Sequence, residues 1–210
     1  MTSAVQVERA ELCDTLLEVG PDAPTLCGGW TTRDLAAHLV IRERRPDAGP
    51  GILTSFFSGY SDHVRLDEAK RPYAEIVERI RTGPPFWNPM RVGAIDRLAN
   101  SVEFFVHHED VRRATRPFEV RSLDPALEDA LAIPVSRAGS LLARKLPVGL
   151  VLEPSGRPAI VVCTGPDRVT IAGPIGECVL FVYGRKDAAR VNVRGPAAAI
   201  TTVREASLGI

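Results

Sequence analysis

Two short stretches of this 210-residue chain carry side chains that could hold a metal ion. In Glu103-Phe104-Phe105-Val106-His107 a carboxylate and an imidazole stand four residues apart. On a helix that spacing puts them on one face, a turn apart, where both can converge on one ion. A solvated Glu–His pair has the same spacing. The apolar neighbours Val102, Phe104, Phe105 and Val106 instead predict an inward setting, where a carboxylate without a partner or cation is costly. The second stretch is Trp30-Thr31-Thr32-Arg33-Asp34-Leu35-Ala36-Ala37-His38-Leu39. His38 lies one turn after Leu35 and beside Leu39, and a lone histidine on such a face reads first as a satisfied core residue. Two such fragments on packed helices change that reading, because helical bundles build metal sites from the inward side chains of facing helices. His38, Glu103 and His107 together leave one or two positions for water or substrate, the open arrangement of catalytic zinc. Zinc is the expected ion. Nickel, cobalt, manganese and iron accept the same ligands.

Around this set the neighbours have duller readings as well. His108 is about 100° around the helix from His107, which suits the rim of a site better than ligation. Asp110 could orient an imidazole by accepting its second N–H, or could pair with Arg113. Trp30 reads as a packing anchor beside the pocket, and Asp34 as a helix cap. Arg185, after Gly184 at a helix end, could reach an anionic ligand, although capping the last carbonyls is the simpler role. His63 reads as a surface residue. Cys163 and Cys178 fall in apolar runs, where a thiol is inert.

Helices must position these groups. Apolar spacing predicts a first helix from about 5 to 19, with Val7, Ala10, Cys13, Leu16 and Leu17 inward, ended by Gly20-Pro21. Thr31 to Asp34 has the form of a capping box opening a helix over 32–45, with Pro46, Gly49, Pro50 and Gly51 ending it. Further helices are expected over 62–81 (Val64, Ala69, Ile76, Val77 and Ile80 inward), over 91–115 (Val92, Ile95, Leu98, Val102, Phe105 and Val106 inward), and over 125–145, where Pro134 should kink or divide the helix. From Pro147 the pattern changes to short runs rich in Val and Ile separated by turn residues. Strands are expected at 148–152, 159–163, 169–172 and 191–193, with helices at 174–183 and 196–205. The expected fold is therefore α+β: a helical bundle over 1–146 followed by a small α+β domain over 147–210.

Bulk composition excludes several partners. The chain has 26 Lys plus Arg against 26 Asp plus Glu, and 45% hydrophobic residues. Balanced charge removes the electrostatic case for nucleic acid or an anionic membrane as partner. No apolar run is long enough to span a bilayer, and the N-terminus lacks the form of a secretory signal. The four scattered cysteines, with no C-x-x-C pair, suggest a reducing, cytoplasmic setting.

The run W-T-x-x-D-L-x-x-H-L (Trp30 to Leu39), with E-F-F-V-H-H-E-D (Glu103 to Asp110), resembles the N-terminal domain of mycothiol-dependent maleylpyruvate isomerases. These belong to the wider DinB-like and YfiT-like group of metal-binding four-helix bundles. The resemblance implies a metal held by His38, Glu103 and His107. His108 replaces a glycine usual in that family. Gly173 to Gly184-Arg185 and Val191 to Gly195 resemble the family's C-terminal module. For function the resemblance implies an enzyme using a low-molecular-weight thiol, mycothiol, in isomerisation or S-transfer to an electrophile. The alternative is a metal- or small-ligand-binding protein without turnover. A homodimer through bundle helices is also compatible.

Overall fold

The computed structural model describes residues 2–45, 58–88, 93–143 and 145–208. It contains eight helices and one four-stranded sheet among those residues, and divides into two compact units, Met1–Glu119 and Val120–Ile210. The α+β class expected from the sequence is thus present.

The first unit is helical: α1 (Ala4–Val19), α2 (Thr32–Arg44), α3 (Ser58–Ala69), α4 (Tyr73–Arg81) and α5 (Gly93–Arg112). Capping explains two of the starts. Ser3 and Gln6 form a reciprocal box on α1, and Thr31 and Asp34 form the expected box on α2. Each satisfies backbone N–H groups that have no partner inside the helix. Helix α1 packs on α5 and α4, and α2 packs on α3 and α4. Their shared core includes Val5, Leu12, Leu16, Leu35, Leu39, Ile76, Ile80 and Phe104. Along α5 the side chains from Asn100 to Val111 are buried, apart from Glu103, which is half-buried.

Three expectations need correction here. The helix expected over 62–81 is two helices, because Pro72 cannot donate a backbone N–H and instead sits at the N-cap of α4. On α1, Val7 and Leu17 are exposed, at 45% and 48%, while Glu8 and Arg9 are buried. The inner face is rotated from the purely apolar stripe because both charged residues find partners on other helices. Arg9 makes two hydrogen bonds to Glu43, at 2.7 and 2.6 Å, and one to the Ile80 carbonyl at 2.8 Å. Thirdly, the boundary expected at 146/147 falls inside the second unit. Residues 46–51, expected to end α2, Val92, and the side chains of Ile95 and Leu98 lie outside the described residues.

The second unit opens with α6 (Pro125–Leu142), which continues through Pro134 rather than dividing there. It packs on β2 and α7, which is why it goes with the sheet and not with the helical unit. Then come β1 (Gly149–Pro154), β2 (Ile160–Cys163), β3 (Arg168–Gly173), α7 (Ile175–Val182), β4 (Asn192–Arg194) and α8 (Ala197–Glu205). Strand order is β2-β1-β3-β4, with the central β1–β3 pair parallel and both outer pairs antiparallel. Gly149 to Leu152 are all buried, which accounts for the unbroken apolar run of an inner strand. Gly165 is required where its loop crosses β1: a Cβ there would lie 2.4 Å from the Gly149 nitrogen. Among the described residues, no helix is long and apolar enough to cross a membrane.

Candidate metal centre

The candidate ligands come from two helices of the first unit. Helix α2 presents His38 two turns beyond its capped start, and α5 presents Glu103 and His107 one turn apart. The Nε2 atoms of both histidines face a single carboxylate oxygen, Glu103 Oε1, from 3.2 Å for His38 and 3.3 Å for His107. The imidazole centroids are 5.3 Å apart, with the rings nearly perpendicular. One donor atom from each of the three residues lies within 4.8 Å of the others. The side chains of His38, Glu103 and His107 are 12%, 24% and 11% exposed, so the carboxylate is the least buried of the three.

The surroundings set the charge state. Arg42, one turn beyond His38, places Nε 3.3 Å from Glu103 Oε1 and also donates to Asn100 Oδ1. Burial pushes the Glu103 carboxyl up. The Arg42 guanidinium and hydrogen bonds from the two imidazoles outweigh that and hold it well below the usual carboxylate range. Burial lowers His38, and its hydrogen bond to Glu103 does not fully offset this, so the neutral ring that a metal needs is favoured. For His107 burial also opposes the charge, but Asp110, Cys27 and Glu103 together hold it well above the ordinary imidazole value.

Asp110 is fully buried, and its Oδ2 lies 2.9 Å from His107 Nδ1. A carboxylate only accepts, so Nδ1 carries a proton; Nε2 is turned to Glu103, also a carboxylate, and in the metal-free chain it carries a proton as well. This is the orienting role that the sequence left open against a pair with Arg113. Arg113 pairs with Glu109, side chain to side chain. Trp30 stands beside His38, centroids 5.3 Å apart, with Arg65 stacked 4.8 Å over its indole. Asp34 keeps its capping role and pairs with Arg65.

His108 is placed away from this set of partners. It turns to α1, with Nδ1 2.8 Å from Glu8 Oε1 and Nε2 2.9 Å from Thr15 Oγ1. Glu8, Glu11 and His108 also bring donor atoms within 4.8 Å of one another, but both His108 nitrogens are committed to hydrogen bonds. Arg185 belongs to the second unit, where it donates to the Tyr183 carbonyl at 2.7 Å, the helix-end role. Phe86 and Trp87 are 86% and 52% exposed. Cys27 is a residue that the sequence did not single out. Its thiol donates to Asp110 Oδ2 at 3.1 Å and lies 3.7 Å from His107 Nδ1. No spacing motif could have revealed it, since the contact joins a loop to a helix 83 residues away.

Fold and site together define a helical unit with a convergent His2Glu donor set, in a chain that continues into an α+β unit. The family model described as the mycothiol maleylpyruvate isomerase N-terminal domain matches residues 3–48. That stretch covers α1, the 20–31 loop and α2 with His38, and it supports the family read from the sequence. Glu103 and His107 lie beyond it. No curated protein and no solved structure matches the chain.

Proposed function

We propose that the helical unit holds a divalent metal ion through His38 Nε2, Glu103 and His107 Nε2, with zinc the expected ion. The observation that carries this is the approach of both Nε2 atoms to one carboxylate oxygen, at 3.2 and 3.3 Å. Like-facing nitrogens around a carboxylate, with one imidazole locked through its other nitrogen by a buried aspartate, form a donor set suited to a cation. We further propose that a remaining position takes the thiol of a small cofactor, mycothiol being the one the matched family's description names. The reaction is then addition of that thiol to an electrophilic substrate, as in isomerisation or S-transfer.

When bound, the ion acts as a Lewis acid that favours the thiolate form of a thiol near neutral pH. The chain's own residues do the positioning. Asp110 keeps His107 in one tautomer, Trp30 limits the swing of His38, and Arg42 steadies the Glu103 carboxylate. The partial exposure of Glu103 supplies the approach for a small molecule. The test is turnover of electrophiles such as maleylpyruvate with mycothiol, before and after chelation. Activity that requires both metal and thiol supports the reading, and activity indifferent to both refutes it.

Arg42 gives weight to a second reading, that of a metal- or small-ligand-binding protein without turnover. Its guanidinium already neutralises the carboxylate, so an ion must compete with it and would exchange readily. A cobalt-loaded protein separates the two. A visible spectrum that changes on adding millimolar thiol favours the thiol enzyme, and an unchanged spectrum favours the binder.

A further inference from the structure

Cys27 lies in the loop that joins α1 to α2, and that loop touches both histidines of the candidate site. Its shape is set by local bonds. Thr25 Oγ1 donates to the Trp30 carbonyl at 2.8 Å, Cys27 N donates back to Thr25 Oγ1 at 3.2 Å, and Trp30 N donates to the Cys27 carbonyl at 2.8 Å. The loop is also pinned to α5, because Leu26 N donates to the Asp110 carbonyl at 3.0 Å. One end of this turn therefore places Trp30 against His38, and the other places the Cys27 thiol against Asp110 and His107.

We infer that Cys27 is a positioning residue for the metal ligand His107, acting through Asp110. This rests on the metal reading above. Asp110 Oδ2 accepts from His107 Nδ1 at 2.9 Å and from the Cys27 thiol at 3.1 Å. The thiol thereby fixes the direction of the oxygen that fixes the imidazole. Asp110 has no exposed surface, so bulk water does not readily take over the thiol's place on that oxygen. Outer partners of this kind orient ligands and raise their basicity, and losing one weakens metal affinity by about 10–100-fold. Cys27 acts at one further remove, so its loss falls near the lower end of that range.

Cys27, His107 and Asp110 could also be taken as ligands of an ion of their own, since their donor atoms lie within 4.8 Å of one another. The distances favour protons instead. Both contacts to Oδ2 have hydrogen-bond lengths, and each needs only the proton its donor carries. Packing is the other alternative, and it is separable, because serine and alanine differ little in size while only serine donates.

The experiment compares the full chain with Cys27→Ser and Cys27→Ala, reading cobalt(II) affinity by chelator competition, the cobalt visible spectrum, and metal-free thermal unfolding. The expected result is that Cys27→Ala binds cobalt about 10-fold more weakly with an altered spectrum, while Cys27→Ser stays within about threefold of the parent. Equal affinities for the two variants would overturn the inference, as would a sulfur-to-cobalt charge-transfer band in the parent that Cys27→Ser loses. If the variants merely unfold more easily, their metal-free midpoints fall together and their affinities do not separate, which also overturns it. A parent chain that takes up no cobalt refutes the metal reading itself, an outcome distinct from any difference among the Cys27 variants.

Discussion

His107 and His108 are sequence neighbours on α5, both are buried, and both have each ring nitrogen beside a polar atom, yet their settings differ in kind. Among the described residues, His108 is held by α1, through Glu8 and Thr15. Its side chain is only 4% exposed. His107 has one nitrogen tied to a buried aspartate on its own helix and the other turned to a carboxylate that His38 and Arg42 also approach. A buried histidine thus becomes a ligand candidate when one nitrogen is locked and the other meets a donor set shared across helices and open to solvent. Where both nitrogens are locked, it is a bolt between helices.

The largest test of this contrast is the pair His107→Ala and His108→Ala. Removing His107 is expected to weaken metal affinity by more than about 100-fold, beyond the loss of an outer partner. Removing His108 should leave affinity within about threefold while costing about 1–3 kcal/mol in stability, because Glu8 and Thr15 lose a buried partner. Calorimetric metal titration and denaturant unfolding read the two effects, and equal metal losses would erase the contrast. A smaller effect is expected from Asp110→Asn, which leaves all three ligands in place. Affinity should fall by about 10–100-fold as the imidazole loses its orienting carboxylate.

Proton balance sharpens the same difference. His107 is held well above the ordinary imidazole value, so metal-free protein carries its proton at neutral pH. An ion taking Nε2 must displace that proton, so binding releases a proton and tightens as pH rises. The fold shows the opposite sign. A raised pKa contributes stability that is full below the ordinary imidazole value and is lost as pH rises through the folded value. Calorimetry in buffers of different ionisation enthalpy should therefore detect proton release near pH 7, and its absence would mean His107 is not displaced. The smallest expected effect belongs to Thr15→Val, which removes one contact to His108 Nε2. It should cost about 0.5–1.5 kcal/mol and leave metal binding untouched.

Much of this is legible in the sequence where chemistry and spacing are local. The Thr31–Asp34 box, the one-turn separation of Glu103 and His107, and the four short strands all appear close to where residue order puts them. Convergence of His38 on the same carboxylate is readable only through the resemblance of the two motifs to a known family, because no local rule joins residues 65 positions apart. Apart from the split at Pro72, the departures share one cause, which is that periodicity reports that a face is buried and not what buries it. The inner stripe of α1 lies elsewhere than the spacing predicts because Glu8 and Arg9 are buried through partners at His108 and Glu43. Helix α6 has a buried face through Leu127, Leu131 and Val135, and only its packing shows that the sheet side is its partner. Cys27 is silent in the sequence because a thiol outside a C-x-x-C pair gives no signal until the loop is folded onto α5.

The most direct test is the amount of zinc retained per chain after equilibrium dialysis of untagged protein, for the parent, His108→Ala and His38→Ala. The account predicts about one ion on the parent and on His108→Ala, and essentially none on His38→Ala, whose loss leaves the α5 ligands intact but alone. Zinc retained in full by His38→Ala, or lost equally from His108→Ala, would contradict a site shared between α2 and α5.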